Sequence, residues 1–380
     1  MSSRSLLSSG LPATEYYAPD YKIEVNGQEI DPESKGDVLE LKVTMDSAQL
    51  TNVELTVNNW DDKSLSFKYS DSTIFNPGNS LNVQMGYAGN LFSMADAIIT
   101  TLAPHFPESG PPTLAVSGQD RLVKLKERKP LDGEQKKFVN QKDSDIARSI
   151  ALRNGLTLNV QDTNVVNDVV IQKNQDDGLF LKERAACNDY DCFSYIDPDS
   201  GQHTVYFGPP TDTRGGSTVR VYVFEWGKSL INFTPVLTLN HQVGKVTVKS
   251  WDPTTKSLLQ YTAGPDDLPP GSGSDNGPNA VATALADRQD IVVDHVCTCQ
   301  EEVQIRAQAL LRERAYHYLK VSGQVIGLPD LRPGYNVELQ GLGKRFSGTY
   351  YLLKVEHTLG NSGYLTSFEG RSAFGGGTTK

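Results

Sequence analysis

Residues 325–371 read VIGLPDLRPGYNVELQGLGKRFSGTYYLLKVEHTLGNSGYLTSFEGR and carry the clearest strand pattern in the 380-residue sequence. Apolar and polar side chains alternate over residues 336–340, 348–359 and 363–369, which predicts three strands. The breaks carry turn residues: Pro333-Gly334, then Gly341 and Gly343, then Asn361-Ser362-Gly363. Asn and Gly adopt positive φ at low steric cost, so the last of these breaks predicts a hairpin. The stretch therefore predicts an antiparallel meander.

The same stretch resembles a known family through segments that occur in order. They are Gly327-Leu328-Pro329, Leu331-Arg332-Pro333-Gly334, Val337-Glu338-Leu339, Gly343 to Tyr351 and Val355-Glu356-His357-Thr358. Further segments are Leu55 to Asp61, Pro77 to Ser80, Gln84 to Gly89, Phe106 to Leu114, Glu225 to Leu230 and Val246 to Pro253. Together they resemble the phage late control D protein family. That family supplies the central hub of contractile phage tails and contractile injection systems, and the hub-like part of VgrG spikes.

Length and composition predict a mainly β protein of more than one unit. A chain of 380 residues is too long for a single core. Tyr (16) and Phe (13) far outnumber Met (4), which favours sheets over helical bundles. With the resemblance, the expected fold is mainly β with an α+β insert: two small antiparallel tube-protein-like β-barrels plus a small α+β domain.

Charge and hydropathy exclude two classes of partner. The net charge of −10 argues against nucleic-acid binding, because neutralising phosphates needs a basic face. We find no run of about 18 apolar residues that could span a membrane. The N-terminal segment lacks the apolar core of a secretory signal. We expect the chain to be made and folded in the cytoplasm, and to become part of a virion or a phage tail-like injection particle.

The first half of the chain predicts a disordered tail (1–14) and a first tube-like β-barrel (15–127). Six strands are expected, at residues 21–25, 38–43, 53–57, 80–86, 97–102 and 113–117. Asn26-Gly27 after the first strand is a hairpin signal. Trp60-Asp61 occurs without the repeat of about 40 residues that a WD propeller requires, so a propeller is excluded.

Residues 128–215 predict the α+β insert domain, after a charged connector at 120–137 that we interpret as a solvated helix end and loop. Asp143-Ser144 is expected to cap a helix that ends at Gly155. Its apolar positions recur at helical spacing: Ile146, Ala147, Ile150 and Ala151. A second helix is expected at 177–188, with Leu179, Phe180 and Ala186 inward and Lys182, Glu183 and Arg184 outward. A hairpin pairs 193–196 with 204–207.

The second tube-like β-barrel is assigned to residues 216–255 and 318–374, with 256–317 inserted in it. Strands are expected at 219–225, 231–239 and 242–252. The insertion combines a flexible Pro/Gly loop (264–279), a strand (291–299) and a helix (301–319). The buried stripe of that helix is expected to be Val303, Ala307, Leu310, Leu311 and Tyr318.

Known catalytic and ligand-binding motifs are lacking. The sequence has no G-x-S-x-G elbow, H-E-x-x-H or P-loop; Gly227-Lys228-Ser229 has Tyr222 where a P-loop needs glycine. The loop from Asp197 to Gly201 resembles the start of a calcium loop, but Gly208 replaces the required Glu, so a plain turn is preferred.

Metal ligands are not spaced as a site requires either. The six histidines, at 105, 203, 241, 295, 317 and 357, lack helical ligand spacing. The four cysteines (Cys187, Cys192, Cys297 and Cys299) are expected to be reduced thiols, the last two on one strand face. We therefore predict no catalytic, cofactor-binding or metal-binding residues. A glycoside hydrolase site made of two paired carboxylates is left open at this point, because only the geometry of the folded chain identifies such a pair.

The resemblance implies a structural baseplate hub that forms a trimeric, pseudo-six-fold adaptor between the inner tube and the central spike. Its implied partners are two further copies of itself, the inner tube protein ring, a separate spike protein and other baseplate proteins. The spike is expected to be separate because the sequence ends just after the second barrel. The alternative is a tail-associated cell-wall-binding or cell-wall-degrading protein.

Overall fold

The computed structural model describes residues 18–87, 89–120, 136–173, 175–197, 201–210, 213–214, 217–218, 222–252, 255–268, 275–285, 288–293, 297 and 299–375. The protein is mainly β, with several antiparallel sheets and short helices, as predicted. Four expectations lie wholly or largely outside these residues. They are the tail (1–14), most of the charged connector (121–135), the tip of the calcium-like loop (198–200) and the centre of the Pro/Gly loop (269–274).

The first unit, within residues 18–120, is a curved antiparallel sheet around its own core. Its elements are β1 (Pro19–Val25), β2 (Gln28–Glu29), α1 (Pro32–Gly36), β3 (Val38–Asp46), β4 (Asn52–Asn58), β5 (Trp60–Asp61), β6 (Ser66–Phe67), β7 (Ser80–Tyr87), β8 (Asn90–His105) and β9 (Thr113–Asp120). The long strands pair in the order β1-β7-β8-β9-β4-β3. All six predicted strands are present. Asn26 (φ 52°) and Gly27 (φ 77°) form the predicted hairpin turn between β1 and β2.

Side chains that alternate along these strands fill the core of the first unit. In β4, Val53, Leu55 and Val57 are buried, while the residues between them face outward. This alternation is what lets one face of an antiparallel strand bury apolar area while the other stays solvated. The same pattern in the other long strands produces one continuous cluster of buried apolar side chains.

The insert has two small sheets and two helices. Its elements are β10 (Lys136–Lys142), α2 (Asp143–Arg153), β11 (Thr157–Val160), β12 (Val166–Gln172), α3 (Asp177–Cys187), β13 (Asp191–Ile196) and β14 (His203–Gly208). β10 pairs with β12, and β11, β14 and β13 form the second sheet. The predicted hairpin is the β13-β14 pair. In α2, Ile146, Ala147, Ile150 and Ala151 are buried as predicted.

The helix ends and one helix face differ from the expectation. The residue before α2 is Lys142, which makes no side-chain cap; Asp143 and Ser144 lie inside the first turn. In α3, Leu179 is 48% exposed and Ala186 is exposed, so both predictions were wrong. Phe180, Leu181 and Ala185 are the buried residues. Arg184, predicted to point outward, is largely buried because it pairs with the buried carboxylate of Asp143 at 2.6 Å. The buried face of α3 thus lies about one residue away from the predicted one.

The remaining elements follow from residue 213 onward. They are β15 (Thr213–Arg214), β16 (Ser217–Thr218), β17 (Tyr222–Glu225), β18 (Leu230–Leu237), β19 (Lys245–Asp252), β20 (Ser257–Ala263), a 3-10 turn (Pro265–Asp267), α4 (Gly277–Ala284), β21 (Gln289–Val292), α5 (Gln300–Ala315), β22 (Leu319–Ile326), β23 (Asn336–Gln340), α6 (Gly343–Phe346), β24 (Gly348–Gly360) and β25 (Gly363–Ser372). The predicted meander is β23, β24 and β25.

The second unit pairs its strands in the order β18-β22-β25-β24-β23-β17 and encloses a core of its own. The predicted turn glycines all have positive φ: Gly334 (80°), Gly341 (77°), Gly343 (75°) and Gly363 (83°). Strand β22 was not predicted. Helix α5 ends at Ala315 rather than 319, and Tyr318 is buried just beyond it. The apolar pattern of residues 315–321 fits both a helix and a strand, so the end of α5 and the start of β22 could not be placed from the sequence.

Strand β19, assigned to the second barrel from the sequence, pairs instead with β20 and β21 in a separate three-stranded sheet. Helix α5 packs on one face of this sheet, and Val303, Ala307, Leu310 and Leu311 are buried as predicted. Of the strand predicted at 291–299, β21 covers Ile291 and Val292, Val293 and Cys297 are not in a strand, and residues 294–296 and 298 lie outside the described residues. Cys297 lies buried outside any strand, and Cys299 is exposed at the start of α5, so the two thiols share no strand face.

The two main units form one sheet rather than two separate ones. The second half of β24 pairs with β25 on one side and with β3 on the other, from Lys354 opposite Asp46 to Gly360 opposite Glu40. The first half of β24 pairs with β23. One strand thus belongs to both units, and main-chain hydrogen bonds hold them edge to edge.

Candidate functional site

Histidine and acidic side chains are dispersed. Within the described ranges, no group of three or more His, Cys, Asp or Glu side chains could hold a metal ion. His203 Nε2 lies 2.9 Å from a carboxylate oxygen of Asp120 and links the insert to the first unit. His317 is partly buried, and burial lowers its pKa. His295 lies outside the described residues.

Neither the cysteines nor the Gly227-Lys228-Ser229 segment has the surroundings of a reactive or ligand-binding site. Burial raises the pKa of the Cys192 and Cys297 thiols to about 12, and also raises that of Cys187. Gly227-Lys228-Ser229 forms the turn between β17 and β18, where Lys228 Nζ binds Glu225 at 2.8 Å. A phosphate loop needs a helix after its lysine, and a strand follows here.

The most distinctive feature of the described chain is a buried loop. Residues 327–335, between β22 and β23, are all buried, although loops normally lie at the surface. Buried main-chain groups need hydrogen-bond partners, and this loop finds them on both units. The Gly327 carbonyl accepts from the Tyr87 hydroxyl at 3.0 Å, and the Gly327 N–H donates to the Tyr364 carbonyl at 2.9 Å. The loop contains the GLPDLRPG segment that carried the family resemblance.

Arg332 is the largest fully buried side chain of this loop. Its Nη1 donates to the carbonyls of Pro329 (2.6 Å) and Leu331 (3.0 Å), and its Nη2 to the Ser93 carbonyl (3.0 Å). Burial lowers the pKa of the guanidinium. The cation is therefore solvated by main-chain carbonyls, and it joins the loop to β8 of the first unit.

His357 of β24 closes the other side of the loop. Its Nε2 donates to the Leu331 carbonyl at 3.1 Å, so Nδ1 is unprotonated and accepts from the hydroxyls of Tyr364 (3.0 Å) and Thr366 (3.1 Å). Complete burial lowers the pKa of His357 to about 3. His357 lies in the strand predicted over residues 348–359, and this network gives it a structural role.

A second junction joins the insert to α5 and the second unit. Asp189, held at φ 55°, receives Arg312 Nη1 at 3.2 Å and the Tyr316 hydroxyl at 3.4 Å. Arg371 lies over the Tyr316 ring at 4.1 Å and 3.7 Å from Asp191. Burial raises the pKa of Asp189 to about 7, outweighing the nearby arginines.

The outward face of the shared sheet is polar where the two units meet. Lys42 Nζ lies 3.2 Å from Glu356 and 3.8 Å from Glu54, so the ion pairs cross β24, β3 and β4. Lys354 binds Glu369 at 3.2 Å on the same face. These partly exposed pairs contribute little stability each, but they keep the face hydrophilic across the seam.

Two features of the described chain expose apolar side chains: strand β18 at the end of the large sheet, and the separate β5-β6 hairpin. Strand β18 has β22 on one side; on its other side the described residues supply only a bridge between Trp226 and Leu230. Its Ile231 and Val236 are 50% and 55% exposed. The β5-β6 hairpin carries Leu65, 71% exposed, at positive φ. Neither feature was predicted from the sequence, since the exposure of a side chain depends on which distant elements pair or pack beside it.

Known proteins share this fold at low sequence identity. The 43 kDa tail protein of prophage MuSo2 from Shewanella oneidensis aligns with a TM-score of 0.68 and 15% identity, covering 93% of this chain and 98% of that one. A tail protein from Neisseria meningitidis MC58 aligns at 0.64 and 14%, covering 94% and 97%. The E. coli c3393 protein, a type VI secretion component similar to the T4 tail proteins gp27 and gp5, aligns at 0.55 and 11%, covering 94% and 79%. The chain therefore has the fold of phage tail proteins.

One property of the helices and two further comparisons concern the chain as a whole. None of the helices in the described ranges is long and apolar enough to cross a membrane. The curated proteins give no match to the sequence. A family model described as the Alg8 N-terminal domain matches residues 17–361, most of the chain, whereas the late control D family is not confirmed. The chain belongs to the Alg8 N-terminal domain family.

Proposed function

We propose that this chain is the structural hub of a baseplate, in a contractile injection system or a phage tail. It forms a trimeric, pseudo-six-fold adaptor between the inner tube and the central spike. The observation that carries the proposal is the shared strand β24, which holds two six-stranded units edge to edge in one chain. Three copies around an axis present six such units, and a six-fold tube can stack on them.

The open margins of the sheet support a ring. Strand β18 lies at one end of the strand order, and β1, paired with β2 over only two residues, lies near the other. Contacts between two different edges are heterologous, and such contacts close into rings when the rotation permits. Side chains Ile231 and Val236 supply exposed apolar area for this contact.

The late control D resemblance supplies the finer assignment and the partners. The proposed partners are two further copies of the chain, the inner tube protein ring, a separate spike protein and other baseplate proteins. The proposed units keep the boundaries 15–127 and 128–215. The second barrel, expected at 216–255 with 318–374, is proposed without β19 (Lys245–Asp252), which pairs in the separate three-stranded sheet. The role is structural, without catalysis or cofactor. Assembly takes place in the cytoplasm, and the product is a virion or injection particle.

The oligomeric state is tested on the purified chain. Mass photometry, alone and with its spike, should give three times the 41.6 kDa of one chain. The double variant Ile231→Lys/Val236→Lys should abolish the trimer, because charges on a strand edge oppose pairing. Leu152→Lys, at an 82% exposed position on α2, is the matched control and should leave the trimer intact. A stable hexamer, or a trimer indifferent to the edge charges, would contradict the ring.

The role is tested by gene deletion in the producing cell. Loss of the chain should leave no full-length sheathed particles in electron micrographs, and the wild-type gene should restore them. Particles of normal length that lack only target binding would support the alternative, a tail-associated wall-binding or wall-degrading protein. Turnover of purified cell wall, lost on substitution of one carboxylate, would establish the enzymatic form of that alternative.

A further inference from the structure

In the part of the chain that the structure describes, the sheet of β20, β19 and β21 has one face covered by a helix and one face without such a cover. Helix α5 covers the face that presents Val246, Val248 and Ser250 of β19. The opposite side, here called the outer face, presents Trp251 opposite Leu258, and Thr247 between Thr262 and Ile291. The outer face is largely apolar at its corners: Trp251, Leu258 and Ile291 are 57%, 55% and 60% exposed, and Val293 just beyond β21 is 69% exposed.

Three cations surround the outer face; the Asp252 carboxylate beside Trp251 accepts hydrogen bonds from Thr255. Lys249 lies between Thr247 and Trp251, Lys256 lies in the β19-β20 turn, and Arg288 directly precedes β21. Within the described residues, these three side chains have no ion-pair or hydrogen-bond partner. The nearest acid on β21, Asp290, lies 3.4 Å from Arg314 of α5 and so belongs to the covered side. A cationic apolar patch is unusual on a chain with a net charge of −10.

The covered face shows what kind of element fits this sheet. An apolar stripe of α5 packs on it, so an amphipathic helix is an element that this sheet already accommodates. A cluster of exposed apolar side chains that includes Trp is typical of an interaction surface. We propose that the outer face binds an acidic amphipathic helix of another protein of the particle, its apolar stripe on Trp251 and Leu258 and its carboxylates near Lys249.

Two other occupants fit less well. A second copy docking through the same patch would bring Lys249 close to its symmetry mate, and like charges in a desolvated contact repel. Nucleic acid would meet four apolar side chains and only three cations, on a protein whose net charge repels phosphate. The proposal concerns a surface apart from the sheet edges and does not depend on the trimer.

The surface is tested first with defined probes and the full-length purified chain. Two fluorescent helical peptides of about 18 residues share one leucine stripe and carry Glu or Lys on the other positions. Fluorescence anisotropy should show binding of the Glu peptide, weakened by salt and about tenfold or more by Trp251→Ala or Lys249→Glu. Leu65→Ala and Lys63→Glu, at exposed positions of the β5-β6 hairpin, are the matched controls and should bind like wild type. Equal binding of both peptides, or binding of neither, would overturn the proposal.

The surface is then tested in assembled particles. A photoreactive residue replaces Leu258, and the crosslinked peptide is sequenced after illumination. An acidic amphipathic segment of another particle protein, lost from the adduct in Lys249→Glu particles, supports the proposal. A crosslink to a second copy of this chain, to nucleic acid, or none at all would refute it. The same residue placed at Leu65 controls for crosslinking by any exposed position.

Discussion

Arg332 Nη2 donates to the carbonyl oxygen of Ser93 at 3.0 Å, so a cation of the second unit fills a hydrogen-bonding position at the edge of the first. Ser93 precedes Met94 of the first core, Arg332 follows Leu331 of the second, and the guanidinium lies fully buried. The junction between the units is therefore polar inside, and three main-chain carbonyls depend on the guanidinium as a donor. This makes single residues at the junction decisive for stability.

Replacing Arg332 should destabilise the whole fold. Arg332→Ala leaves the carbonyls of Pro329, Leu331 and Ser93 without these donors and opens a cavity, which we expect to cost about 3–5 kcal/mol. Urea unfolding followed by tryptophan fluorescence measures the change. Arg345→Ala, whose side chain is 67% exposed, serves as the control and should change stability by less than about 0.5 kcal/mol. A similar small effect at Arg332 would contradict the role assigned to it.

Gly327 should not tolerate a side chain. A methyl group built on it would lie 2.2 Å from the Tyr364 ring, and the loop around it is buried, so neither partner can move freely. We expect Gly327→Ala to destabilise by about 1–3 kcal/mol, measured as a lower melting temperature. Gly36→Ala is the matched substitution, because no atom lies within 4 Å of the added methyl group. Equal melting temperatures of the two variants would show that the loop yields.

His357 should make the protein less stable as the pH falls. The folded state keeps His357 neutral down to a pH of about 3, whereas the unfolded chain binds a proton below its ordinary pKa of 6.5. The unfolded state thus gains protons between these values, and stability drops by at most about 1.4 kcal/mol per pH unit. His357→Gln keeps a donor and an acceptor and should flatten this dependence, most clearly between pH 5 and 6.5. Identical slopes for both proteins would refute the assignment.

Asp189 should make the protein less stable as the pH rises, which is the opposite of the effect of His357. Its pKa is raised to about 7 in the folded state from 3.8, so the folded protein holds a proton that the unfolded chain has lost. The stability contributed by this group is present at low pH and is lost as the pH rises toward 7. Asp189→Asn should remove that loss and gain stability relative to wild type at pH 8. Asp266→Asn, at an exposed position, should leave the profile unchanged. If Asp189→Asn were less stable than wild type at pH 8, the attraction between Asp189 and Arg312 would outweigh the cost of burying the Asp189 carboxylate.

The local parts of this fold were predictable from the sequence, and the junctions were not. Strands β1 and β4, and the meander of β23 to β25, have period-two patterns and turn residues within a few positions of each other. The pairing of β24 with β3 joins residues about 300 positions apart, as in the Thr44–Glu356 hydrogen bond. No local pattern encodes such a contact. The burial of Arg332 was equally hidden, because an arginine next to Pro-Gly indicates a surface turn.

The predictions about functional sites divide in the same way, into features set by local sequence and features set by distant packing. Motif spacing was enough to exclude a phosphate loop at Gly227-Lys228-Ser229, because Tyr222 stands where that motif needs glycine. The structure places the segment in the turn before β18. The outer face with Trp251 could not be found, since β19 was assigned to the wrong sheet and its two faces cannot be told apart without the position of α5. Which side of a strand is covered is decided by tertiary packing, and its own residues only limit the choice.

The shared strand β24 also sets the order in which the chain can fold during synthesis. Strand β3 is made early, but its second neighbour, residues 354–360, emerges only after some 300 further residues have been added. At about 5–20 residues per second, the edge of β3 stays unpaired for tens of seconds. An unpaired strand edge is the part of a β protein that pairs most readily with other chains. The time between these two segments is therefore the stage at which nascent chains of this protein are most exposed to aggregation.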